Sequence, residues 1–200
     1  HKDLLLAELN HRVRNTLSVL LSVVGNTIRN GEGHEALARK TAGRIMALSR
    51  AHDLLSSADW APIALSDLVA RTSEQEQLAI AYEGPEIEMR PEAVAPLAQA
   101  LHELAVNERT HGASGGRTVI VRTELSNDSV RIDWSCNGMN SFAEFNPGFG
   151  VRLVRLCLER QLFGSIERID ADGMTAILPR AFVTGGAPTE PFAARLGKRS

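Results

Sequence analysis

Aromatics, cysteines, surplus basic charge and long apolar runs are all scarce in this sequence, and each shortage excludes something. Aromatic residues make up 4% of the 200 residues, so apolar packing falls to aliphatic side chains. The two cysteines, Cys136 and Cys157, lie far apart and match no zinc spacing. They suit a reducing compartment with free thiols and exclude a structural disulfide. A formal charge of −2 and a pI near 6.3 argue against general electrostatic affinity for nucleic acid or anionic lipid. No apolar run is long enough to cross a bilayer, and no charged-then-apolar leader opens the chain, which points to the cytoplasm. The start falls inside a helical pattern, as expected for a fragment with a sensory region upstream.

Hydrophobic residues form 44% of the chain, an ordinary share for a globular protein. Their spacing divides the sequence near Trp60. Apolar residues recur at Leu6, Leu9, Val13, Leu17, Leu20, Val24 and Ile28, the three-and-four spacing of a buried helical stripe. Asn30-Gly-Glu-Gly33 signals a turn, and a second helix carries Leu37, Ile45, Leu48 and Leu55 with Ala38, Ala42 and Ala51 beside them. Residues 1–59 therefore read as an antiparallel helical hairpin. Two helices cannot bury both stripes, so a second copy of the hairpin, or another surface, should complete a four-helix bundle. Homodimerisation through residues 1–57 is the natural expectation.

Residues 60–182 alternate strand and helix signals. The spacing predicts helices over 65–71, 91–111 and 150–162, and strands over 78–83, 86–89, 118–125, 130–135, 165–169 and 175–178. Asn127-Asp128 and Asp172-Gly173 mark hairpin turns. Successive antiparallel strands with a few helices make an α+β sandwich rather than a parallel doubly wound sheet. Residues 183–200, with Gly185, Gly186, Pro188 and Pro191, read as a loosely ordered tail.

Three segments carry candidate chemistry. In Glu8-Leu-Asn-His-Arg-Val-Arg-Asn15, His11 falls opposite the apolar stripe, on a polar strip with Asn15, Ser18 and Ser22. In His102-Glu-Leu-Ala-Val-Asn-Glu-Arg-Thr-His111, Glu103, Asn107 and His111 recur every four residues and share one helical face, with Leu97, Leu101, Leu104 and Ala105 on the buried side. A carboxylate, an amide oxygen and an imidazole suit a hydrated magnesium ion and phosphate oxygens. In Asn146-Pro-Gly-Phe-Gly-Val-Arg-Leu-Val154, two glycines precede an apolar helix, permitting close backbone approach to a phosphate. The segment from Asn137 to Asn146 reads as a flap over a ligand. Taken singly, an exposed histidine, a solvated polar face and a plain helix-start turn account for each.

Together the three segments resemble the HWE-type histidine kinases of bacterial two-component systems. The resemblance also takes in Arg44-Ile-Met-Ala-Leu-Ser-Arg-Ala-His-Asp-Leu-Leu55 and the strand with Trp134, and covers about residues 3–180 in order. It implies a dimerising phosphotransfer hairpin followed by an ATP-binding α/β sandwich of the type shared with gyrase and the Hsp90 chaperone. By position, it makes His11 the phosphoacceptor, Asn15 a residue that orients it, Asn107 the Mg²⁺ ligand and Glu103 its neighbour in the nucleotide site. Gly148, Phe149 and Gly150 become the phosphate loop, with His111, Asn137 and Gly138 completing the ATP site. His102 and Trp134 correspond to residues for which the family is named. The implied partner is a response-regulator receiver domain, docking near Arg12, Arg14 and Ser18.

Departures from that pattern are concentrated at the nucleotide site. Cys136 stands where the family has an acid that accepts from the adenine amine, and a neutral thiol is a poor acceptor. Thr110 replaces a common lysine, while Glu108 and Arg109 replace small residues. An active but divergent kinase and a degenerate kinase, kept as a phosphotransfer relay or receiver-binding scaffold, both accommodate these changes. A purely structural dimer leaves His11 and the glycine loop without purpose. A gyrase-like ATPase lacks a candidate base to activate water.

Overall fold

The computed structural model describes residues 34–111, 118–137 and 148–184. The expected first helix and its turn, the flap segment and the tail beyond Thr184 lie outside them.

Helix α1, His34–Ser57, covers the stretch expected to form the hairpin's second helix. Leu48, Ala51 and Leu55 are buried on one stripe, and Arg44 continues that stripe one turn toward the N-terminus. Ile45, expected among the buried residues, is 43% exposed beside Met46 at 48%. It sits about 100° around the helix from Arg44, off the stripe. The stripe packs on the second part of the chain, since Leu48, Ala51 and Leu55 belong to the same core cluster as the sheet.

Helix α2, Leu65–Glu76, runs a turn beyond the expected end at Arg71. The polar run Thr72-Ser-Glu-Gln-Glu76 disguises the continuation, although Leu65, Leu68, Val69, Thr72 and Glu76 form one buried stripe. Thr72 satisfies its hydroxyl by donating to the Leu68 carbonyl. Gln77, in the left-handed region with φ 50°, ends the helix by donating its N–H to the Ser73 carbonyl.

Strands β1 (Ile63–Ala64) and β3 (Glu88–Met89) form a small antiparallel pair of their own, with β2 (Ile80–Glu83) between them in sequence. Helix α3, Pro91–His111, starts with proline at its first position, where the missing N–H costs nothing. Strands β4 (Thr118–Leu125), β5 (Ser129–Asn137), β6 (Ser165–Asp170) and β7 (Gly173–Pro179) complete a five-stranded sheet of order β2-β4-β5-β7-β6. The strands are not all antiparallel as expected, because β2 pairs parallel with β4. A parallel pair needs a long crossover, and α3 lies in it. The sheet is therefore mixed.

Helix α4, Phe149–Arg155, continues into a π-helical stretch, Leu156–Gln161, where one regular helix was expected. Helix α5, Arg180–Val183, ends the described chain with Val183 fully buried. Alternation buries Val119 and Val121 of β4, Val130, Ile132 and Trp134 of β5, and Met174, Ala176 and Leu178 of β7 on one face of the sheet. Gly173 is required at φ 147°, because a Cβ there would collide with the Trp134 carbonyl. One core cluster joins these residues to Leu97, Leu101, Leu104 and Ala105 of α3 and Leu153 and Val154 of α4. The result is a two-layer sandwich with α3 as the central helix, and α1 packed on α3. Among the described residues, no helix is long and apolar enough to cross a membrane.

Candidate nucleotide site

The apolar face of α3 is anchored to the sheet, so its other face, carrying His102, Glu103 and Asn107, is turned toward α1, α2 and the start of α4. Gly150 is the point of α4 that meets Glu103 and Asn107. A Cβ on Gly150 would lie 2.7 Å from Glu103 Oε2 and 3.6 Å from both terminal atoms of the Asn107 amide. A side chain there would have to displace the Glu103 carboxylate. Gly148, extended at φ −72° and ψ −166°, opens α4 with no side-chain cap. The structure thus brings together Gly148, Phe149, Gly150, Glu103 and Asn107, five of the residues expected at one site. His111 ends α3 and Asn137 ends β5, while His11, Asn15 and Gly138 lie outside the described residues.

Glu103 is 4% exposed and locked to Arg44 of α1. Arg44 Nε donates to Glu103 Oε1 at 2.6 Å and Nη2 donates to Oε2 at 3.0 Å. This two-point geometry is the strong form of an ion pair. The Arg44 guanidinium also lies 4.3 Å from the centroid of the Phe149 ring, a cation–π contact. Gln99 Nε2 donates to the Arg44 carbonyl at 2.8 Å, tying the backbone of α1 to α3.

Arg44 was missed as a member of this buried cluster. The signal was present, since a cation on the stripe that continues to Leu48, Ala51 and Leu55 must bury its charge against an acid.

A second polar cluster begins at the adjacent residue, His102. The His102 Nδ1 atom and Glu76 Oε1 are 2.9 Å apart, and Arg109 pairs with Glu76 Oε2 at 3.2 Å. Burial by itself pushes the Glu76 carboxyl up. The His102 hydrogen bond and the charges of His102 and Arg109 outweigh it and hold the carboxyl below its ordinary value of 4.5. Gly43 of α1 faces the same imidazole, its absent Cβ 3.2 Å from His102 Nε2.

At the end of β5, the Cys136 thiol donates to Glu108 Oε2 at 3.0 Å. A carboxylate therefore reaches this position from α3, although Cys136 itself offers none. The other thiol, Cys157, is buried, and burial followed by the nearby Glu103 charge pushes it up to about 12. It stays protonated and inert.

Among the described residues, no group of three His, Cys, Asp or Glu is gathered for a metal. One half-buried amide oxygen, from Asn107, instead fits an ion that keeps most of its water and is held largely by phosphate oxygens, as magnesium is.

A family model described as HWE histidine kinase matches residues 8–86. The blue-light-activated histidine kinase of Rhizobium johnstonii is 34% identical over 175 residues, covering 84% of this chain and 50% of that protein. Blue-light-activated histidine kinase 1 of Erythrobacter litoralis is 32% identical over 175 residues, covering 81% and 48%. The chain thus spans about half the length of the curated relatives it matches. In fold, it resembles the solved Erythrobacter litoralis EL346 blue-light activated histidine kinase with a TM-score of 0.61 at 16% identity, covering 88% of this chain and 58% of that one. The solved histidine kinase domain of EL346 gives 0.53 at 12% identity, covering 80% and 93%.

Proposed function

Because the chain belongs to the HWE histidine kinase family, we propose that it phosphorylates its own His11 from ATP and passes the phosphoryl group to an aspartate on a response-regulator receiver domain. The observation that carries this reading is the contact of Gly150 with Asn107 and Glu103, which sets a glycine turn against a metal-competent amide.

In this reading a ring nitrogen of His11 forms a bond to the γ-phosphorus, the bond to the bridging oxygen breaks, and ADP leaves with the electron pair. The receiver aspartate later takes the phosphoryl group. Asn15, four positions beyond His11 in sequence, orients the imidazole. The glycine backbone at Gly148 and Gly150 receives phosphate oxygens, and Phe149 packs under the turn. Asn107 holds Mg²⁺, which offsets the phosphate charge. His111, Asn137 and Gly138 complete the nucleotide site. Glu108, 3.0 Å from Cys136, supplies a carboxylate beside the residue that lacks one, which supports a working site over a degenerate one.

The exposed Ile45 and Met46 give α1 an apolar flank suited to the hairpin's first helix and a second copy of the chain, supporting a homodimer. Use of ATP as phosphoryl donor supports a cytoplasmic location for this part of the protein. Receiver docking uses the strip near His11, with Arg12, Arg14 and Ser18, because the aspartate must come within covalent reach.

The test is incubation of the chain and its His11→Ala variant with Mg²⁺ and γ-labelled ATP. Acid-labile, alkali-stable label on the parent and none on the variant is the expected result. A folded parent that takes no label and binds no ATP by calorimetry overturns the reading.

A further inference from the structure

We propose that Arg44 is a positioning residue of the nucleotide site, which neutralises Glu103 and seats Phe149 so that the Gly148–Gly150 turn can receive a polyphosphate. The inference rests on the nucleotide-binding reading above and deepens it.

Three contacts converge on one side chain. Arg44 spans both oxygens of Glu103, covers the Phe149 ring, and has its own carbonyl held by Gln99. Arg44 and Glu103 are each 4% exposed, so water screens neither. Glu103 Oε2 is also the atom nearest to the missing Cβ of Gly150, at 2.7 Å. Removal of Arg44 leaves a negative charge against the turn that phosphate must approach, and like charges at that range repel strongly in a shielded site. It also removes the nearer of two cations from over Phe149, the residue between the two glycines, leaving Arg152 at 5.9 Å.

Arg44 belongs to α1, whereas Glu103 and Phe149 belong to the sandwich. Docking of α1 on α3 is therefore a condition of nucleotide binding, and the two equilibria are linked in both directions. An arginine that served as structural adhesive alone would change stability without changing the affinity of the folded protein for nucleotide.

The experiment measures binding of Mg·ADP by calorimetry to the whole chain, to Arg44→Met and to Arg44→Met combined with Glu103→Gln, with folding checked by circular dichroism. Arg44→Met is expected to bind about tenfold more weakly or worse, and the double variant to recover most of that loss because the lone charge is gone. If Arg44→Met does not fold, Arg44→Lys keeps the charge but loses the planar two-point contact, and is expected to weaken binding by a few fold. Parent-like affinity in the Arg44 variant that folds overturns the proposal and leaves the nucleotide reading standing. A double variant that binds no better than Arg44→Met also overturns it. A parent that binds no Mg·ADP overturns the nucleotide reading itself.

Discussion

The two sides of α3 are built from opposite materials. Toward the sheet, Leu97, Leu101, Leu104 and Ala105 meet Val121, Trp134 and Leu178 in one aliphatic-rich core. Toward α1 and α2, Gln99, His102 and Glu103 are equally buried but polar, and each has a named partner in Arg44 or Glu76. The first side is held by area removed from water, which is nondirectional and forgiving of shape changes of similar volume. The second depends on matched pairs, because a buried charge that loses its partner keeps the full cost of its desolvation. The pairing therefore favours the register of α1 in which Arg44 meets Glu103. The outer face of the sheet provides a contrast, since Arg122 and Glu83 pair at 2.7 Å while both are about half exposed. Pairs of that kind contribute little.

The sharpest way to break this contrast is Arg44→Met. Removing one member of a buried ion pair is expected to destabilise the chain by about 3–5 kcal/mol in urea unfolding. A loss below about 1 kcal/mol would show that the seam is wetter than its burial implies. Leu178→Ala, on the apolar side, should cost about 3 kcal/mol from lost transfer energy and a residual cavity. Its effect should fall on stability, with little change in the affinity of the folded protein for nucleotide.

The smallest effect concerns pH. Because the folded structure holds Glu76 below its ordinary value of 4.5, the unfolded chain binds the proton more readily. This carboxylate therefore adds stability above that value, and the contribution fades as pH falls through the lowered one. Thermal midpoints taken from pH 6 down to pH 3 should fall less steeply for Glu76→Gln than for the parent. Parallel slopes would remove Glu76 from the seam's balance.

Much of the local structure was legible along the chain. Helix α3 was readable because proline opens it and a regular stripe runs through Leu97, Leu101 and Leu104, and the β4–β5 and β6–β7 hairpins because turn residues separate alternating strands. The end of α2 was not, because its last turns are polar and bury Thr72 and Glu76 only through tertiary partners. Strand β1, two residues long, carries no periodicity. At the candidate site, the spacing of Glu103 and Asn107 placed both on one face, and the glycines around Phe149 marked the turn. Neither showed that Glu103 is claimed by an arginine 59 positions away, or that Glu108 reaches Cys136 from 28 positions away.

Spacing by itself determined the apolar side of α3, the turns of the β4–β5 and β6–β7 hairpins, and that Glu103 and Asn107 share one helical face. These properties depend on neighbours within a few residues, where helix and strand geometry act directly. The tertiary structure alone decided the parallel pairing of β2 with β4, the burial of Glu103 and the attachment of α1 through Arg44. Each of these joins residues distant in the chain, and its energy exists only after the intervening segments have folded and excluded water.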